Sequence, residues 1–150
     1  GFERWGLKEV RLSIEHAAYL KWLFPRAKFL FLIRDPHACY RSFLRLKVTY
    51  VRWPDQPVDS PESYGRHWVD LAQGFVDRAQ EVGGVVVRYE ALCAPDFDAE
   101  AIDRYLGFAL DLGAREFGVS SSGNPPAPAD ERERLQAVVG PLAERLGYPS

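Results

Sequence analysis

The chain contains no methionine, not even at its first position, and only two cysteines and three histidines among 150 residues. Cys39 and Cys93 stand alone, and with the histidines they form no CxxC, HxxxH or comparable ligand spacing. That argues against a disulfide framework and a metal centre, so reduced thiols and no metal are expected. The longest unbroken apolar run, Phe29 to Ile33, is far below the roughly 20 residues a helix needs to cross a bilayer, and the opening residues do not read as a signal peptide. No GxxxxGK[ST] loop is present, which disfavours a kinase of that type. Asn124 precedes Pro125 and makes no glycosylation sequon. Internal repeats, low-complexity tracts and a dividing linker are also missing, so residues 1–150 read as a single domain. A soluble, cytoplasmic chain without a membrane segment is the expectation.

What is there suits a globular domain: 47% hydrophobic and 27% charged residues can bury a sizeable core. The formal net charge of -2 conceals an asymmetry. Residues 1–53 carry 11 Lys+Arg against 4 Asp+Glu, whereas residues 54–150 carry 8 against 17. An anionic ligand held by the N-terminal third follows. Nucleic acid fits poorly, because the basic residues are spaced singly through apolar segments rather than clustered with aromatics. A small phosphorylated ligand fits better.

The periodicities alternate. Trp5 to Val10 reads as a short strand ending in a loop. Ser13 is placed to cap a helix with Glu15 in its first turn, and Pro25 ends it. Lys28 to Ile33 is a continuous apolar run, the pattern of a strand buried on both faces in a parallel sheet. A helix follows over Pro36 to Lys47, capped by Asp35 with Pro36 in the first helical position. After a proline-bearing loop (Trp53 to Pro57), Ser60 opens a long helix whose apolar positions Tyr64, Trp68, Leu71, Phe75, Ala79 and Val82 recur at spacings of three and four. Gly83 and Gly84 stop it. Val85 to Val87 reads as a second buried strand leading into Tyr89 and Glu90, and Asp98 to Leu106 as a short helix ending at Gly107. Residues 118–129 read as a loop, and Asp130 with Glu133 as a capping box for a last helix carrying Leu135, Val138, Val139 and Leu142. The fold class is α/β, a mostly parallel sheet flanked by helices.

In such folds ligands sit at the carboxyl ends of the strands. The first strand runs into Arg34-Asp35-Pro36, with Ser42 eight residues beyond the arginine. A guanidinium beside a helix N-terminus with free N–H groups, with a hydroxyl from the helix, suits a phosphate dianion. The plainer alternative is an ordinary strand-to-helix turn in which Arg34 pairs with a carboxylate.

The segment from Pro25 to Pro36, with Ser42 following, closely resembles the 3'-phosphate-binding segment of sulfotransferases that use 3'-phosphoadenosine 5'-phosphosulfate. Upstream, Arg4 to Arg11 is similar to the family's Trp-Gly-x-Lys-x-Pro-Arg segment. Downstream, Val86 to Leu92 is similar to its strand ending in Tyr-Glu-x-Leu, and Leu142 to Tyr148 looks like its final helix. The resemblance implies a P-loop-NTPase-like sulfotransferase fold. It further implies that Arg34 and Ser42 bind the 3'-phosphate of the cofactor, that Tyr89 approaches the adenine, and that Lys8 neutralises charge at the transferred sulfonate. Lys8 is then expected at a strand's carboxyl end, beside the Arg34 turn. Ser121, in the loop Ser120 to Asn124, resembles a serine that reaches the cofactor in the tyrosylprotein branch. Two departures stand out. Val10 replaces the usual proline, and nothing before Lys8 corresponds to the loop whose amides bind the 5'-phosphosulfate, so the chain is expected to be the C-terminal part of a longer protein, its fold lacking that loop.

Glu9 and His16 are the candidate general bases for the acceptor's proton, His16 also being placed to cap its helix. The acceptor implied is a small-molecule, carbohydrate or peptide hydroxyl, or an amine. Arg41 and Arg45 either flank the phosphate or are solvated. His37 and His67 read as structural, Glu131 to Arg134 as a solvated helix face with local ion pairs, and Trp53 to Ser60 as an acceptor-side loop or a plain connection. Two functions remain: a sulfotransferase, or a non-catalytic module that keeps nucleotide affinity or has lost it.

Overall fold

The two apolar runs of strand length pair with each other. In the computed structural model, which describes residues 5–46, 50–52, 56–110 and 126–149, β1 (Leu30–Ile33) and β4 (Val85–Arg88) lie parallel, Leu30 opposite Val85 and Ile33 opposite Arg88. Helix α1 (Ile14–Leu23) precedes β1. Between the strands run α2 (Pro36–Leu46), β2 (Tyr50–Arg52), β3 (Gln56–Val58), α3 (Pro61–Arg78) and a 3-10 turn over Ala79–Val82. After β4 come α4 (Tyr89–Leu92), α5 (Ala99–Leu106) and α6 (Ala129–Arg145). The chain is mixed helix and strand, as expected. Among the described residues, however, the parallel sheet is this one pair, and β2 and β3 form a separate antiparallel hairpin. The stretch read as a proline-bearing loop thus contributes a strand, with Pro57 in a two-stranded ribbon where a missing N–H costs little.

β1 is covered on one face only, a correction to the expected strand buried on both. Phe31 and Ile33 are buried while Leu30 and Leu32 are exposed. On the covered face Phe31 stacks on Phe75 of α3, ring centroids 4.6 Å apart. Gly84 lies so close that a Cβ there would collide with the Phe31 ring. Tyr105 of α5 secures the starts of both strands: its hydroxyl accepts from the Phe29 N–H at 2.9 Å and donates to the Gly83 carbonyl at 2.6 Å.

Caps set most helix boundaries. Ser60 Oγ accepts from the Ser63 N–H at 3.2 Å, Asp98 accepts from the Ala101 N–H at 3.0 Å, and Gly83 and Gly107 follow their helical segments in the left-handed conformation, φ 65° and 80°. The expected capping box on Asp130 and Glu133 is not formed. α6 begins two residues earlier, at Ala129, with Pro128 as its N-cap and Asp130 and Glu131 inside the first turn, where their charge favours the helix dipole. Nor are the ion pairs of Glu131 to Arg134 local. Glu131 accepts from the Tyr40 hydroxyl of α2 at 2.7 Å, and Arg134 forks onto Glu62 of α3, because α6 lies against both helices.

α3 and α6 pack closely where Gly65 meets α6: a Cβ at Gly65 would stand 3.0 Å from Val138. Leu135 and Val139 of α6 are completely buried there, beside Tyr64 and Trp68 in the same core. Trp5 to Val10 is not a strand. The segment is irregular and exposed, with Trp5 edge-on to Phe24 at 5.4 Å, and it pairs with neither free edge of the β1–β4 sheet. Leu135→Ala should lower the unfolding free energy by about 2–5 kcal/mol, read as a reduced urea midpoint with little change in slope.

Candidate functional site

Parallel register brings two side chains together at the carboxyl ends of the strands. Ile33 is opposite Arg88, so the next residues, Arg34 and Tyr89, emerge side by side. The Arg34 guanidinium lies over the Tyr89 ring, 4.6 Å from its centroid, a cation–π contact worth about 0.5–2 kcal/mol. Behind them the Arg34 carbonyl accepts from the Trp68 indole N–H at 3.0 Å, with the Cys39 thiol 3.9 Å away. The Tyr89 phenol is raised above its ordinary pKa by its hydrogen bond with Cys93 and by burial. Burial pushes the Cys39 thiol up to about 12, so at neutral pH it is an inert packing group.

The alternative in which Arg34 pairs with a carboxylate is not realised among the described residues. Both nearby carboxylates are engaged elsewhere. Asp35 Oδ1 caps α2 by accepting from the Ala38 N–H at 2.6 Å. Glu90 Oε1 accepts from the Asp35 N–H at 2.9 Å, and Oε2 from the Tyr148 hydroxyl at 3.1 Å. Burial and the Glu90 charge raise the Tyr148 phenol well above its ordinary range, and the Arg88 guanidinium covers the Tyr148 ring at 4.4 Å. These bonds occupy part of the helix N-terminus expected to be free: the Asp35 and Ala38 amides are taken by side chains, and Pro36 has no N–H.

Ser42 lies half-buried on α2, two turns from Asp35, with Arg41 half-buried beside it and Arg45 exposed. Phe43 and Tyr40 stack against Tyr64 instead, at 4.9 and 5.3 Å, so the core contacts of α2 lie on a different face from Ser42 and Arg45. Lys8 is not at a strand's carboxyl end: it is exposed in the irregular segment whose Trp5 ring rests on Phe24. Glu9 forks onto Arg11, with Oε1–Nε at 3.0 Å and Oε2–Nη2 at 3.1 Å, and also accepts from the Val10 N–H at 2.8 Å. The Arg11 hydrogen bond first, then the Val10 amide, lower its pKa to about 2, the wrong direction for a general base near neutrality. His16 is a capping histidine: its Nδ1 accepts from the Ser13 N–H at 3.2 Å and lies 2.9 Å from Ser13 Oγ. Ser121 lies outside the described residues. His37 bonds Gln136 of α6 at 2.7 Å and His67 is buried in α3, both in line with structural roles.

A separate cleft of about 340 Å³ opens between α1 and α3, lined by Glu15, Asp70 and Asp77 with Arg78. Its acidic wall is unsuited to an anion. Among the described residues no group of three or more His, Cys, Asp or Glu is placed to hold a metal ion, and no helix is long and apolar enough to cross a membrane.

A family profile described as "Sulfotransferase family" matches residues 1–111. The chain belongs to the sulfotransferase family. Among curated relatives, Protein-tyrosine sulfotransferase A of Caenorhabditis elegans is 31% identical over 103 residues, covering 66% of this chain and 26% of the relative. The chain thus spans about a quarter of the length of that sulfotransferase. No solved structure matches. Within the matched span lie Lys8, Arg34, Ser42 and Tyr89, together with Glu90, which sequence reasoning passed over as a site residue although it follows Tyr89 directly. Trp68 and Tyr148 were also missed. Their signal was the apolar periodicity of α3 and the C-terminal segment, which reads as core rather than as support for a site.

The Glu9 carboxylate should titrate with a midpoint near 2 by carbon-detected NMR, below its ordinary 4.5. A depressed folded-state value means the Glu9–Arg11 lock is complete above the ordinary value and is lost as pH falls toward the folded one. Arg11→Ala should return the midpoint toward 4.5.

Proposed function

We propose that this sulfotransferase-family chain binds 3'-phosphoadenosine 5'-phosphosulfate through Arg34, Ser42 and Tyr89, and serves sulfonate transfer to a hydroxyl or amine acceptor on a P-loop-NTPase-like scaffold. The observation that carries this reading is the Arg34–Tyr89 pair at the joined strand ends, with the neighbouring carboxylates bonded to amides and a hydroxyl instead of to the guanidinium. Such an arginine keeps donors for a phosphate, and the exposed part of the tyrosine ring suits a purine. The residues present therefore fit the nucleotide half of the donor.

When bound, the donor supplies an activated sulfonate, whose sulfur–oxygen bond to the bridging phosphate oxygen breaks as a bond to the acceptor oxygen forms, releasing adenosine 3',5'-bisphosphate. The chain's residues hold and neutralise. Arg34 and Ser42 fix the 3'-phosphate, Tyr89 orients the base, and Lys8, on its exposed segment, moves in to balance charge at the transferred group. Ser121 is assigned to the same cofactor. The acceptor's proton goes to a base, for which His16 is better suited than the strongly acidic Glu9. The acceptor classes are a peptide tyrosine, as the name of the relative suggests, a carbohydrate or a small alcohol. A second reading, a nucleotide-binding module without transfer, is favoured by one observation: Lys8 is exposed in an irregular segment instead of ending a strand.

Two measurements separate these readings. In calorimetry the chain should prefer adenosine 3',5'-bisphosphate over AMP by about 10- to 150-fold, the worth of one charge-assisted hydrogen bond, and Arg34→Ala should erase that preference. In a full-length protein that includes the phosphosulfate loop, with a labelled sulfonate donor, Lys8→Ala should reduce kcat by on the order of a hundredfold while nucleotide affinity changes little. Unchanged turnover in Lys8→Ala would assign the lysine to the surface.

A further inference from the structure

Among the described residues, the Glu90 side chain joins the β1–α2 turn to the C-terminal segment. Its Oε1 takes the Asp35 amide of the β1–α2 turn at 2.9 Å, its Oε2 the Tyr148 hydroxyl at 3.1 Å, and its own backbone belongs to α4 next to Tyr89. α4 is a single turn of four residues with no buried side chain, too short to fix its own direction. The orientation of the Tyr89 ring therefore depends on what ties α4 down. Two guanidiniums lie on the aromatic rings that flank Glu90, Arg34 on Tyr89 and Arg88 on Tyr148, yet among the described residues neither forms an ion pair with it. Each Glu90 oxygen instead accepts a hydrogen bond from another donor, the Asp35 amide or the Tyr148 hydroxyl.

Tyr148 is itself held. It is buried, edge-on to Trp68 at 6.3 Å, and follows Gly147, whose φ of 76° turns the chain back toward β4. Trp68 in turn donates to the Arg34 carbonyl. A closed circuit results, from Arg34 through Trp68, Tyr148 and Glu90 to Asp35 and back to Arg34.

We propose that Glu90 is a positioning residue of the nucleotide site: clasping the Asp35 amide, and steadied by the Tyr148 hydroxyl, it sets the Tyr89 ring under the Arg34 guanidinium and keeps its own charge from closing that guanidinium off. For its ligand this inference rests on the function proposed above; for its geometry it stands alone.

The test reads the pair directly. In the ¹⁵N-labelled chain without ligand, the Arg34 Nε–H resonance is expected upfield, shifted by the Tyr89 ring current, with Tyr89→Leu as the reference for its loss. Glu90→Ala should abolish the upfield shift while circular dichroism keeps its native form, and should weaken adenosine 3',5'-bisphosphate binding by roughly tenfold, the scale of one charge-assisted hydrogen bond. Glu90→Gln, which keeps an oxygen for the Asp35 amide, should restore the shift and most of the affinity. A folded Glu90→Ala that retains both would overturn the proposal and leave Glu90 a contributor to stability only. Should Glu90→Ala not fold, Tyr148→Phe decides by the same readouts, because its ring contacts with Arg88 and Trp68 remain; a smaller shift and affinity lowered a few-fold support the proposal, and no change in either refutes it. If the wild-type chain binds no nucleotide, the proposed function fails, while the ring-current comparison still decides the role of Glu90.

Discussion

The parallel pairing of β1 with β4 is the constraint on which the rest of this structure depends. Two strands so far apart in sequence have no hairpin to align them, so their register has to be fixed from outside. A polar clamp at each end does this. At the amino ends the Tyr105 hydroxyl bonds both the Phe29 amide and the Gly83 carbonyl; at the carboxyl ends Glu90 bonds the Asp35 amide. Between the clamps, Phe31 on Phe75 supplies the apolar contact. A slip of one residue would turn Phe31 and Ile33 outward and separate Arg34 from Tyr89 in the same movement. The register that aligns the two strands is thus also what sets Arg34 beside Tyr89.

The electrostatics of the site follow from competition among donors. Asp35 and Glu90 are acidic residues flanking Arg34, an arrangement that would ordinarily neutralise it. Backbone amides at the start of α2 and the Tyr148 hydroxyl bind those oxygens instead. The start of α2 thus holds oxygens of both carboxylates on its own amides, a use of the helix N-terminus that the spacing of Arg34, Asp35 and Pro36 does not reveal when read as sequence.

Much of the fold was legible because local signals were strong. Ser60 with Pro61, Asp98 with Gly107, and Gly83 announced their boundaries through capping chemistry that acts within a few residues. The valine run and the run ending at Ile33 announced strands. What failed was of another kind. The coverage of Leu30 and Leu32 depends on which elements lie over the sheet, the reading of Trp5 to Val10 on whether an edge is offered, and the partners of Glu131 and Arg134 on how α6 lies across α2 and α3. None of these is a local property. The same division runs through the site. Arg34 and Tyr89 were legible because each ends an apolar run, and their family resemblance marked them. Glu90 and Tyr148 were not, because their meaning lies in a contact spanning 58 residues of sequence.

Gly65 adds a mechanical dimension. With no side chain there, α6 approaches α3 until Val138 would touch a single added carbon, and α6 carries Tyr148 just beyond its last turn. Because Tyr148 follows the end of α6 and bonds Glu90, the close approach that Gly65 permits between the two helices is also part of what seats the C-terminal segment against the strand ends.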